Sequence, residues 1–324
     1  MRDAIAALAV AALTFLPASP AAGTGTAGMT ATQLVGRAAT GAPGTHLFGV
    51  ALSGIGQLPE VTALAARLHH PLDVVNVYVG WDSPFPSRYV EEIAAAGAVP
   101  EITWEPWRHQ LGLHQDTYPL TSIASGALDR YVEGWARAAA AWGKPLLLRF
   151  AQEMNGDWYP WDVGVNGNSA LDYVGAYRHV HDVFDAAGAR NVLWIWSPNV
   201  TSSKTPTLAS MYPGSSYVDF VGIDGYNSGV GIPYGWWASP AQVFGKTLAD
   251  VATFAAGKPV LITETGSSER GGSKAAWIGQ FFAYLATQPE IVGFVWSEYP
   301  GRADWPIETS PASEAAMRAG LASY

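Results

Sequence analysis

Eight short apolar runs, each followed by a stretch of helical spacing, constrain this chain more than any other feature of its sequence. The runs are His46–Leu52, Val74–Trp81, Val99–Trp104, Leu146–Leu148, Val192–Trp196, Val218–Asp224, Val260–Thr263 and Ile291–Trp296. They are predominantly apolar rather than alternating, which predicts strands buried on both faces in a parallel sheet covered by helices. The intervening spacing predicts helices at about Gln57–Leu68, Ser87–Ala96, Leu128–Trp142, Tyr173–Ala187, Pro240–Ala256, Lys274–Thr287 and Ser313–Ala322, with a short one near Leu208. Gly97, Gly143 and Gly188 follow three of them as helix stops. Eight units with no strand left over predict an α/β protein, a single (β/α)₈ TIM barrel over residues 45–324. In such a barrel the chemistry sits on the loops after the strands.

The segment before the first strand reads differently. Residues 1–22, MRDAIAALAVAALTFLPASPAA, place one Arg before an apolar run, then Pro17, Pro20 and a small-residue end. This predicts a signal peptide cleaved near Ala22 and hence a secreted, extracellular protein. The run is too short to span a membrane. Residues 23–44 are rich in Gly, Ala and Thr without period, which predicts a flexible leader. A formal charge of −9 with no basic stripe argues against nucleic acid as a partner. The chain contains no cysteine, so disulfides and thiolate metal sites are excluded. No phosphate loop or dinucleotide-binding glycine motif occurs, and the expectation is a monomer with no cofactor and no metal.

The strand ends collect the groups that can do chemistry. The fourth run ends in Arg149, Gln152, Glu153 and Asn155, followed by Trp158, Tyr159 and Trp161. Charged and amide groups at the end of a buried strand are costly without partners, and an indole-rich loop suits the apolar face of a sugar ring. The third run adds Trp104, Glu105 and Trp107; the fifth Trp194, Trp196, Ser197 and Asn199; the sixth Asp224, Tyr226 and Asn227; the seventh Glu264; the eighth Trp296, Glu298 and Tyr299. Trp104, Trp196 and Trp296 are therefore expected to face substrate. Two carboxylates in different surroundings fit glycoside hydrolysis: Glu153 as a protonated acid, and Glu264 as an ionised nucleophile with Arg149 and Tyr226 near it. Strands four and seven predict the short separation of a retaining site. An internal ion pair between Arg149 and Glu153 is the plainer alternative. His179 and His181 read as packing or surface residues. Asp162, Asn166 and Asn168 read as turn chemistry rather than a calcium loop, and Glu105 and Glu298 as either ion pairs or hydroxyl ligands.

The blocks RFAQEMNGDWYPW, NVLWIWSPN, VDFVGIDGYN, ITETG and GFVW, in that order, resemble glycoside hydrolase family 26 from about Phe48 to Trp305. The resemblance implies a (β/α)₈ barrel and a retaining endo-β-glycosidase acting on a polysaccharide, β-1,4-mannan or gluco/galactomannan. It implies Glu153 as acid/base and Glu264 as nucleophile, with Tyr226 beside it, Arg149 in support, and Trp158 and Trp296 as sugar platforms. Two alternatives stay open: an endoglucanase cutting mixed-linkage β-glucan, and a carbohydrate-binding barrel without catalysis. The family usually carries His immediately before the acid/base. This chain has Gln152, which keeps a donor and an acceptor but does not titrate, and which is expected to bind substrate at the sugar 2-hydroxyl.

Overall fold

The computed structural model describes residues 26–39, 45–201, 207–233 and 235–324. In chain order the elements are α1 (Ala31–Ala39), β1 (Leu47–Leu52), α2 (Leu58–Leu68), β2 (Val74–Gly80), α3 (Ser87–Ala95) and β3 (Val99–Glu105). Then come α4 (Leu120–Ala124), α5 (Asp129–Trp142), β4 (Leu146–Phe150), α6 (Ala170–Ala186), β5 (Val192–Trp196) and α7 (Leu208–Met211). The chain closes with β6 (Phe220–Asn227), α8 (Pro240–Ala252), β7 (Val260–Ser267), α9 (Lys274–Leu285), β8 (Ile291–Ser297) and α10 (Pro311–Leu321). The strands pair in sequence order, all parallel, and β1 closes on β8. The fold is the (β/α)₈ barrel that the eight apolar runs predict.

Strand alternation divides the core in two. Outward side chains such as Phe48, Val50, Val75, Trp104, Phe150, Trp196 and Trp296 pack beneath the helices. Inward ones, among them Leu47, Val74, Val99, Leu147, Leu193 and Leu261, fill the lower barrel. Above that apolar floor the interior turns polar, with Asn76, Glu101, Thr103, Arg149, Ser197, Asp224 and Thr263 all fully or almost fully buried. Gly222 allows this crowding: a Cβ there would lie 2.6 Å from Thr263 Oγ1 and 2.7 Å from the Ser197 side chain.

Of the leader expected at 23–44, residues 26–39 are described, and they are ordered against the barrel. Leu34 of α1 is fully buried in the same cluster as the lower-barrel residues. Arg37 pairs with Asp73 at 2.8 Å, and Thr26 Oγ1 donates to the Asp73 carbonyl at 2.7 Å. Small-residue composition conceals an apolar anchor, Leu34 with Ala31 and Val35 packed beside it, and an ion pair, and these tie the helix to the lower barrel. The signal peptide expected at 1–22 lies outside the described residues. Among those described, no helix is long and apolar enough to cross a membrane.

Candidate active site

Arg149, inward on β4 and fully buried, organises the polar layer. Its Nε donates to Thr103 Oγ1 at 3.0 Å and its Nη1 to Asp224 Oδ1 at 2.9 Å. Its Nη2 donates to Glu264 Oε1. Asp224 also accepts the hydroxyls of Thr263 at 2.6 Å and Ser197 at 3.1 Å. A register shift after Gly222 sets Asp224 beside Glu264 in the β6–β7 pairing, the kind of irregularity that re-aims a strand-end side chain. Tyr226 completes the surroundings of Glu264: its hydroxyl donates to Glu264 Oε2 at 2.8 Å and lies 2.6 Å from Ser297 Oγ. Glu264 thus accepts from two donors, one of them cationic.

Glu153 is positioned by strained backbone. Ala151 and Glu153 have φ of 47° and 54°, left-handed values that cost a residue with a Cβ about 1 kcal/mol or more each. Glu153 N donating to the Ser197 carbonyl at 2.7 Å and Ala151 N to that of Trp104 at 3.2 Å hold the turn. Its carboxyl accepts Asn199 Nδ2 at 2.5 Å and Trp158 Nε1 at 2.7 Å. Burial first, and then the charge of Glu264, push the Glu153 carboxyl up to about 7. The hydrogen bonds from Asn199 and Trp158 and the charge of Arg149 oppose that rise.

Glu153, Asp224 and Glu264 each bring one oxygen to within 4.8 Å of the others. Such a group can hold a divalent cation, but the Arg149 guanidinium already bonds both Asp224 and Glu264. What the arrangement can do is present two carboxyls in different surroundings to the same small volume: Glu153, pushed up to about 7, and Glu264, bonded by Arg149 and Tyr226. The ion pair between Arg149 and Glu153 offered as the plainer alternative does not form; Arg149 bonds Asp224 and Glu264 instead.

The structure brings together Glu153, Glu264, Arg149, Tyr226 and Trp158, the last 39% exposed. It separates from them three tryptophans expected to meet substrate. Trp104 is fully buried against Trp135, ring centroids 4.3 Å apart. Trp196 is fully buried against Tyr212 and Phe254. Trp296 is fully buried on Trp277, its Nε1 donating to the Trp305 carbonyl at 2.8 Å. All three point outward because their neighbours Thr103, Ser197 and Ser297 point inward, and successive strand residues face opposite ways.

Gln152 also departs from expectation. It is fully buried, and its Nε2 donates to Glu105 Oε1 at 2.8 Å. Glu105 in turn accepts His109 Nε2 at 3.0 Å and Trp107 Nε1 at 3.3 Å, so it ties down the loop after β3. Glu298 anchors the loop after β8 by accepting Ile307 N at 3.1 Å. Asp162 Oδ2 accepts the backbone N–H of both Trp158 and Tyr159 at 2.8 Å, which is turn chemistry, and Asn166 and Asn168 donate to the Pro160 carbonyl. His179 bonds Asp129, and His181 packs on Trp194. Sequence reasoning passed over Glu101, and it passed over Tyr78, whose hydroxyl lies 3.3 Å from that of Tyr299. The signal for both was available, a polar residue at an inward position of an apolar run.

The model described as glycosyl hydrolase family 26 matches residues 102–278. Among curated proteins, the chain is similar to endoglucanase H of Acetivibrio thermocellus, 35% identical over 257 residues, which is 77% of this chain and 27% of that protein. It is also similar to a mannan endo-1,4-beta-mannosidase of Bacillus subtilis, 33% identical over 90 residues, 26% of this chain and 24% of that one. The chain thus spans about a quarter of the length of these relatives. Among solved structures, a GH26 protein from Muricauda sp. aligns with a TM-score of 0.65 at 17% identity, covering 89% of this chain and 92% of that one. A GH26 beta-mannanase from Bacteroides ovatus aligns at 0.63 and 18%, covering 89% and 92%. At that identity the likeness is one of fold.

Proposed function

We propose, from the premise that this chain belongs to glycosyl hydrolase family 26, that it is a secreted endo-glycosidase cleaving a β-linked polysaccharide by double displacement. The observation that carries this reading is the pair Glu153 and Glu264, carboxyl oxygens within 4.8 Å, one raised to about 7 and the other held by Arg149 and Tyr226. A close pair is the arrangement of retaining enzymes, since an inverting site needs room for water between its carboxyls.

Glu264 attacks the anomeric carbon while Glu153 gives its proton to the glycosidic oxygen. The C–O bond breaks, the shortened chain leaves as an alcohol, and the sugar is held as an ester of Glu264. Formation of the ester removes the charge that was second in raising Glu153. Its pKa then falls, so the same group takes a proton from water. The water attacks the anomeric carbon from the face the leaving group vacated, Glu264 is released, and Glu153 is protonated again. Trp158 offers the exposed indole face beside the acid, suited to stacking on a sugar.

For substrate, the mannan endo-1,4-beta-mannosidase similarity supports β-1,4-mannan or gluco/galactomannan. A second reading, β-glucan, is favoured by the similarity to endoglucanase H, which extends over 77% of this chain against 26% for the Bacillus mannosidase. Reducing-end release from mannan, glucomannan, barley-type β-glucan and β-1,3-xylan decides between them. Proton NMR of the first-formed anomer tests the mechanism: an inverted product sinks double displacement. No release from any of the four, with tight binding to one, would instead favour a carbohydrate-binding barrel. The apolar segment at 1–22 supports export.

A further inference from the structure

Beneath Arg149 lies a carboxyl that the reaction above does not use. Glu101 is inward on β3 and fully buried, beside Asn76 of β2 and Leu147 of β4 in the strand register. Its Oε1 is 3.8 Å from Arg149 Nε, yet neither of its oxygens has a hydrogen-bond partner among the described residues. Arg149 Nε donates to Thr103 Oγ1, and Thr103 Oγ1 donates to Asn76 Oδ1 at 2.9 Å. The two terminal nitrogens bond Asp224 and Glu264.

One guanidinium therefore faces three buried carboxyls: Glu101 on β3, Asp224 on β6 and Glu264 on β7. If all three were ionised, the polar layer would carry two uncompensated negative charges, and each costs several kcal/mol in a dry interior. Asp224 has two hydroxyl donors besides Arg149, and Glu264 has Tyr226. Burial raises Asp224 as well, with Arg149 and the Thr263 hydroxyl opposing, whereas Glu101 accepts no hydrogen bond, so a proton on Glu101 displaces no donor.

We propose that Glu101 is a positioning residue which stays protonated while the enzyme works, leaving the charge of Arg149 to Asp224 and the nucleophile Glu264. The consequence for turnover rests on the reading of Glu264 given above; the protonation does not. Burial raises Glu101 to about 8, with Arg149 opposing and Asp224 and Glu264 adding to the rise. Above that pH an ionised Glu101 competes for Arg149 and loosens its hold on Glu264. Activity then falls on the alkaline side through two proton losses, Glu153 and Glu101.

Two measurements on the full chain test this, with Glu101→Gln as the neutral mimic and Glu101→Met as a second variant of similar length. The first is thermal unfolding between pH 5 and 8. A carboxyl raised in the folded state is ionised in the unfolded chain from about 4.5 upward, so wild type loses stability through this window and a neutral variant does not. The Tm of Glu101→Gln relative to wild type is expected to climb by on the order of 5 °C from pH 5 to pH 8. A difference that stays flat with pH, in both variants, overturns the proposal.

The second measurement is kcat/KM above pH 8 on whichever glycan is cleaved. Wild type is expected to fall with a limiting slope of about two decades per pH unit and Glu101→Gln with a slope of about one, an advantage of about tenfold for the variant near pH 9. Equal slopes overturn the link to Arg149. If no glycan is cleaved, the reading of the active site has failed, and the pH dependence of Tm still shows whether Glu101 carries the proton.

Discussion

The indole N–H of Trp158 donates to Glu153 Oε2 at 2.7 Å, so a partly exposed aromatic is bonded to the carboxyl proposed as the acid. Gly156 makes this possible, since a Cβ there would come within 2.7 Å of the indole ring. A platform that only stacked on sugar would leave the pH profile unmoved. This one should not.

Trp158→Phe keeps the ring and removes the donor. The bond favours the ionised form of Glu153, so its loss raises a pKa already near 7. The alkaline fall of kcat/KM should move upward by about one pH unit, the equivalent of a hydrogen bond to a charged group. A pH–rate profile that superimposes on wild type would mean the bond does not persist with substrate bound.

Glu264→Ala should lose at least about a hundredfold in kcat, or ~2.7 kcal/mol of barrier. Azide should restore turnover with inversion at the anomeric carbon. Retention of more than about a tenth of wild-type kcat, a loss under ~1.4 kcal/mol, removes Glu264 from the mechanism.

Trp296 now belongs to stability rather than binding. Trp296→Ala leaves a cavity beside Trp277 and frees the Trp305 carbonyl, and should cost about 3–5 kcal/mol of unfolding free energy. Trp296→Phe should unfold at lower temperature than wild type while KM stays within about twofold, a difference under ~0.5 kcal/mol. A selective rise in KM with no change in Tm would return the residue to the cleft.

Gln152→Leu removes the amide that bonds Glu105 and leaves that buried carboxylate one donor short. The expected cost is about 1–3 kcal/mol of stability, visible as a lower Tm. Gln152→His can still donate to Glu105, and should restore most of the loss. Equal melting of Gln152→Leu and wild type would show that the tie carries no weight.

Much of this protein was legible in the order of its residues. Apolar runs such as VLWIW and VLIT can bury both faces only in a covered parallel sheet, and eight of them close a barrel. Glu153 and Glu264 were legible because a carboxylate ending a buried strand needs a reason to be there. Strand ends were less so. The stretch Glu264–Ser267 continues β7 because it pairs with Asp224–Asn227 of β6, and apolar patterning is blind to that pairing.

What the sequence by itself determined was composition along each strand, hence which elements form and which residues reach the upper face of the barrel. What only the tertiary structure decided was direction. Trp104, Trp196 and Trp296 stand one residue from inward-facing Thr103, Ser197 and Ser297, and that single step sends an indole into the helix layer instead of the cleft. Leu34 is one leucine in a small-residue tract until the lower barrel offers it a place to bury. Arg149 bonds Asp224, 75 residues away, and Glu264, 115 residues away. Contacts at that separation exist only once the barrel has closed, because the charges are desolvated together and each is tolerable only through the others.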